Sequence, residues 1–268
     1  MDAYAARIER TAALPRAGFW RRWAAVLIDW IVVALPFQIL AAILFTATAG
    51  IVQMDNGFFS FCAPTKTVPE QLDPAPPHDS NFAQVCRISF FGAPTGAILR
   101  VGRITREGTT TTTVSQSYML DADGKPVHGT SIDWIVALAF LIYLVGMAWK
   151  TGRTVGARIL GVRIIDSADP AASGVPVRKL VIRYLVMTIG FLPMFAVLVY
   201  QLVAVGGSAD AMFTGDFFRW FWYAAVLGGL WGVVLTFQVA TKRDPVYDRL
   251  AGTAVVRTRG VEPPYPPQ

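Results

Sequence analysis

Residues 20–51, WRRWAAVLIDWIVVALPFQILAAILFTATAGI, form an apolar run that holds an aspartate at position 29. A helix of about 20 apolar residues crosses a bilayer, so this run is long enough to span. A charged side chain at the centre of such a helix disfavours insertion by roughly 3 kcal/mol and usually faces a partner helix or a water-filled cavity. Arg22 lies seven positions, or two helical turns, before Asp29. The pair therefore shares one face, with the carboxylate about 10 Å deeper along the axis. Whatever fold this chain adopts must provide for that acid.

Three further runs can span, over residues 132–149, 180–206 and 217–240. With 54% hydrophobic and 16% charged residues and a mean hydropathy of +0.45, the chain is more apolar and less charged than average soluble domains. The fold class expected is a membrane all-α protein of four transmembrane helices. The first run is about twice the length of a signal-peptide core and carries an ionisable residue, so it is expected to persist as a helix.

Orientation follows from the basic residues. Segments 1–22, 150–183 and 241–259 share a side in a four-helix topology, and together they contain seventeen of the 24 Lys and Arg. Loop 207–216 has none. The positive-inside rule places both termini in the cytoplasm. The same asymmetry accounts for the net charge of +6 and the pI near 9.5, because the positives flank spans and form no basic stripe with interleaved aromatics. A nucleic-acid partner is not expected; the lipid bilayer is.

Between the first two spans lies a polar segment, residues 52–131, expected outside the cytoplasm as a β-rich insertion. Its first half is proline-rich and reads as irregular, whereas residues 85–91 and 97–105 read as strands. The threonine run 109–113, with Asp123-Gly124 as a turn signal further on, suggests one or two hairpins. Both cysteines, Cys62 and Cys86, fall here. An even pair on an oxidising face without CxxC spacing favours a disulfide. The two histidines, His78 and His128, are 50 positions apart and suggest neither a metal nor a catalytic site.

After the second span, residues 154–160 read as a short amphipathic turn and GVRIID as a strand, with residues 175–177 able to return as a hairpin arm. After the fourth span a short helix precedes the strand-like GTAVVRT. Two short strands at the cytoplasmic face are expected to pair, since an open edge is a liability. Residues 1–16 form a cytoplasmic tail, residues 17–260 the membrane domain interrupted by the insertion, and residues 261–268 a disordered tail by composition.

Three ordered motifs resemble the RDD family of bacterial multi-pass membrane proteins. R-x-x-A-x-x-I-D falls on Arg22, Ala25, Ile28 and Asp29. GRTVGARILGVRIID at 152–166 is followed by VRKLVIRYL, with Arg183 in the position of a basic residue. DRLAGTAVV at 248–256 closes the set. The resemblance implies a bacterial cytoplasmic-membrane protein whose named Arg and two Asp are Arg22, Asp29 and Asp248, with transport suggested as the activity. The chain departs from the family in its long insertion and in Tyr247, which stands where a histidine commonly precedes the second aspartate.

Asp29 has two readings here, a site for a cation or proton, or a structural acid neutralised by Arg22 or by Arg183 on a neighbouring helix. Asp133 reads as an acid at a helix end close to water. Gly228 and Gly232 form a GxxxG that allows close helix approach and offers a face for a homo-oligomer. Pro36 and Pro193 read as bends. No GxxxxGK[ST], HExxH or GxSxG occurs, so neither an enzyme nor a cofactor or metal site is expected. Two functions remain, transport of an ion or small solute with Asp29 as the intramembrane acid, and an envelope module that binds a partner through residues 52–131.

Overall fold

The structure is a computed structural model and describes residues 14–69, 71–205 and 215–258. Its elements in chain order begin with α1 (Phe19–Ala47), followed by strands β1 (Val52–Gln53), β2 (Phe59–Pro64), β3 (Phe82–Phe90), β4 (Ala93–Glu107), β5 (Thr110–Met119) and β6 (Thr130–Ser131). Then come α2 (Asp133–Thr151), α3 (Val155–Ile159), β7 (Val162–Asp166), α4 (Val177–Thr188), a 3-10 turn (Ile189–Phe191), α5 (Leu192–Val205), α6 (Gly215–Ala240), α7 (Val246–Ala251) and β8 (Thr253–Arg257). Four helical stretches are long and apolar enough to cross a membrane: Phe19–Ala47, Asp133–Thr151, Val177–Ala204 and Gly215–Ala240. The protein is a membrane protein. Tail residues 1–13 and 261–268 lie outside the described residues, as does most of loop 207–216.

The helices are inverted relative to soluble ones. Along α1 the buried positions are Ala25, Asp29, Ala34, Gln38, Ala41 and Phe45, a helical stripe of mostly small or polar residues. The outward positions include Val26, Trp30, Leu35, Ile39 and Ile43. Apolar side chains have nothing to gain by hiding from lipid, so backbone approach and hydrogen bonding select the inner face. Trp20, Trp134, Trp149 and Trp220 are also exposed. The third span is broken where Pro193 withholds a backbone donor, and the 3-10 turn at Ile189–Phe191 occupies the preceding turn.

Residues divide into two compact units, one comprising 1–33, 139–196 and 222–268, the other 34–138 and 197–221. The second unit thus takes in helix ends as well as the 52–131 segment. Its main sheet has the order β2-β3-β4-β5, antiparallel throughout. Inside it Leu99, Val101, Tyr118 and Leu120 are buried together. β2 lies in the stretch read as irregular; its sequence FSFCAP has no polar-apolar alternation because all six residues are exposed. Cys62 is directly opposite Cys86 across β2 and β3, and the two form a disulfide closing a separation of 24 residues. β1 and β6 pair in parallel and lead out of α1 and into α2. Buried Gln53 supports them, donating to the Gly50 and Leu120 carbonyls and accepting from Ala97 N–H.

In the first unit, β7 and β8 pair antiparallel with Val162 opposite Arg257. Residues 15–17 extend this pairing, since Ala17 N–H donates to Val255 O and Arg257 N–H to Pro15 O. The return arm expected at 175–177 does not form. Val175 is buried with Ala148 and Leu180, and Pro176, fixed at φ −53°, leads straight into α4.

Candidate functional site

Two buried polar clusters occupy the first unit, and each takes one of the motif aspartates. Asp29 is 1% exposed. Its Oδ1 accepts from the Tyr143 hydroxyl at 2.8 Å and from Gly156 N–H at 2.7 Å, and its Oδ2 accepts from the Thr154 hydroxyl at 2.5 Å. Thr154 and Gly156 belong to the start of α3, where backbone N–H groups have no intrahelical partner, and Tyr143 reaches the same carboxylate from α2. Thr154 is the N-cap; its Oγ accepts from Ala157 N–H at 3.2 Å. The Tyr143 oxygen accepts from Val155 N–H at 2.9 Å.

These outer bonds fix the direction of the inner ones. Each hydroxyl already accepts a backbone N–H, so its own hydrogen points at Asp29. Three donors therefore converge on this one side chain. Gly156 makes the approach possible, because a side chain there would overlap the Ala25 carbonyl. The short helix thus docks its N-terminus onto α1 through the Asp29 carboxylate and the adjacent backbone.

Both arginines proposed as partners of Asp29 bind Asp248 instead. Asp248 is fully buried in the first turn of α7. Arg22 Nη1 donates to its Oδ2 at 3.1 Å, while Arg22 Nε holds the Ala17 carbonyl at 2.9 Å. Arg183 ion-pairs with Oδ1 of the same carboxylate and donates to Thr253 Oγ1 at 3.3 Å. Thr253 in turn donates to Asp248 Oδ1 at 2.8 Å. The Arg183 guanidinium stacks 4.9 Å above the Tyr247 ring, so Tyr247 serves as a cation-π platform. Gly252, the left-handed cap of α7 at φ +65°, turns the chain so that β8 begins immediately and Thr253 faces the cluster. One carboxylate thereby ties α1, α4, α7 and β8 together. Arg22 Nη2 and Arg183 Nε are buried without a hydrogen-bond partner.

The remaining sequence-predicted residues fall elsewhere. Gly228 closely approaches the third span, where a side chain would come 3.1 Å from the Gly190 carbonyl; Gly232 has nothing within 4 Å. Close approach therefore uses Gly228 against Gly190, reinforced by Trp231 Nε1 donating to Met187 O at 3.1 Å, and not both glycines of the GxxxG. In the second unit, Asp133 is the acid of the first turn of α2 and accepts from Asp55 N–H at 2.9 Å and from the Ser131 hydroxyl at 2.8 Å. Asp55 has one carboxylate oxygen buried without a partner. Burial, and then the neighbouring Asp133 charge, push its pKa above the usual carboxylate range. No group of three or more His, Cys, Asp or Glu that could hold a metal occurs among the described residues.

Sequence reasoning missed Tyr143, Thr154, Gly156 and Thr253 as members of the clusters. Three of them lie inside the quoted motifs, and the signal available was a threonine placed as an N-cap two positions before a glycine. Tyr143, a polar tip within an apolar span, was the fourth. No family model, no curated protein and no solved structure matches this chain.

Proposed function

We propose that this chain is an RDD-type protein of the bacterial cytoplasmic membrane, with both termini in the cytoplasm, acting as an envelope interaction module through its external sheet. The observation that carries this reading is the edge strand β2. Among the described residues it is bonded only to β3; it is exposed along all six residues, and presents Phe59 and Phe61 at 51% and 86% exposure. Phe58, Phe59, Phe90 and Phe91 stack beside it at centroid distances of 4.9 to 6.1 Å. An open edge is normally blunted by charge, a bulge or a covering segment; here it carries aromatics and is fastened by a disulfide. That combination suits the addition of an extended segment from an envelope partner, with backbone bonds for affinity and ring contacts for choice.

Asp29 leaves little room for a carried cation, since three of its roughly four acceptor positions are filled by fixed donors. A photocrosslinking residue placed at position 61 of the full-length protein tests the module reading. Recovery of one discrete protein adduct, reduced at least about fivefold by Phe59→Lys with Phe91→Lys, is expected. Adducts to lipid alone would sink the proposal.

A transport reading retains one supporting observation: two buried guanidiniums share the single carboxylate of Asp248, and each has an unpartnered N–H. That excess suits a transiently bound anion better than a cation. Proteoliposomes of wild-type protein that pass no anion across a broad panel would eliminate it.

A further inference from the structure

A second feature of the first unit stands apart from both clusters. A concavity of about 340 Å³ is lined by Lys150, Thr151, Arg153, Arg158, Arg163 and Ser173. Four of those six carry positive charge and none carries negative charge. Among the described residues no carboxylate lies within salt-bridge distance of any of the four, although Arg16, Arg22, Lys179, Arg183 and Arg219 all have one. Two of the cations are held in place by neutral groups. Arg163 donates through Nη2 to the carbonyls of Ala172 and Ser173, and Arg158 through Nη2 to Thr151 Oγ1 at 3.3 Å. The Nε–H of Arg163 is buried and unpartnered.

The location matters as much as the charge. Lys150 and Thr151 end the spanning helix α2, and Trp149 just before them is 52% exposed, so the concavity opens where a span leaves the apolar layer. Positive residues flanking a span orient it, which accounts for their number. It does not account for four of them converging on one hollow without a counter-ion. Burial and then the charge of Arg153 hold the Arg163 guanidinium below the usual arginine range. A bound dianion would relieve that repulsion.

We infer that this concavity is a binding site for a phosphate ester, supplied either by an anionic lipid headgroup or by a soluble phosphate compound. Arg153 supplies a planar donor fork suited to bidentate phosphate recognition, Arg163 adds its charge and the donors of Nη1, and Lys150 supplies a point charge.

The test uses full-length protein in nanodiscs and in detergent. Lipid retained after detergent exchange is measured from a phosphatidylcholine bilayer containing a minor fraction of phosphatidylglycerol, and inorganic phosphate and glycerol 3-phosphate are titrated separately against thermal unfolding. Three proteins are compared, wild type, Lys150→Gln with Arg153→Gln, and a control of equal charge loss, Lys242→Gln with Arg243→Gln. Preferential retention of phosphatidylglycerol that falls at least about tenfold in the cavity variant, and less than about twofold in the control, supports the site with lipid as its source. A phosphate-dependent rise in unfolding temperature lost only in the cavity variant supports it with a soluble source. Equal losses in both variants, or no response to either ligand in wild type, would overturn it. Arg158→Gln is the second cavity variant should the double one fold poorly.

Discussion

Replacing Asp29 by asparagine exchanges one carboxylate oxygen for an amide that can only donate. Oδ1 accepts two bonds and Oδ2 accepts one from Thr154. Asparagine can keep its oxygen toward Tyr143 and Gly156, which turns its NH₂ toward the Thr154 hydroxyl hydrogen. Thr154 Oγ can then accept from that NH₂ as well as from Ala157 N–H, but its own hydrogen must turn away from the asparagine and loses its partner. The loss comprises one charge-assisted hydrogen bond, worth about 1.5–3 kcal/mol, and a buried donor left unsatisfied at about 1–3 kcal/mol. The sum is about 2.5 kcal/mol at the lower end. For a chain of this size each 1 kcal/mol moves the midpoint by about 2–4 °C, so thermal unfolding in detergent is expected to fall by at least roughly 5–10 °C. Thr154→Ala alone is expected to cost less, and the double variant little more than Asp29→Asn, because the two share one bond. A midpoint within about 2 °C of wild type for Asp29→Asn, or strict additivity with Thr154→Ala, would refute the account of a saturated carboxylate.

Three more perturbations probe other parts of the fold. Gly156→Ala is expected to lower the yield of folded protein more than Gly232→Ala, as measured by size-exclusion recovery, because only the former places a methyl against the Ala25 carbonyl. Cys62→Ser with Cys86→Ser removes a crosslink over a separation of 24 residues and is expected to destabilise the main sheet by about 3 kcal/mol, read as faster proteolysis within residues 52–131. Asp55→Asn is expected to stabilise the second unit at neutral pH. With a folded pKa raised by burial and Asp133, the native state binds more protons than the unfolded one, so stability falls as pH rises from the ordinary carboxylate value through the raised one. The gain from Asp55→Asn is present above that window and disappears below it, which unfolding midpoints measured against pH would reveal.

Much of this architecture is legible in the sequence for identifiable reasons. Spans are set by length and hydropathy, and the pairing of β7 with β8 follows from two short β-branched runs with no other edge to cover them. The disulfide follows from two cysteines in a polar segment. The partner assignment of the arginines was not legible. A shared face on α1 places Arg22 near Asp29, but Arg22 finds its carboxylate 226 positions away, and helical periodicity carries no information about that contact. The same limit hid Thr154 and Gly156, whose role exists only once α3 points at α1. β2 escaped because alternation marks strands with one buried face, and this strand has none. The arm expected at 175–177 failed because the local β pattern competes with a proline that starts a helix.

The Asp248 cluster also has a history in time. Arg22 is made early and lies at the entry to the first span, while the carboxylate that neutralises it is translated 226 residues later. At elongation rates of about 5–20 residues per second, the interval is roughly 10–45 s. Through that interval the inserted chain carries an uncompensated guanidinium, then a second once Arg183 emerges, and both are quenched only when α7 and β8 arrive. The cluster therefore closes only after α7 and β8 have been translated. A chain truncated before Asp248 lacks the one carboxylate that Arg22 and Arg183 share.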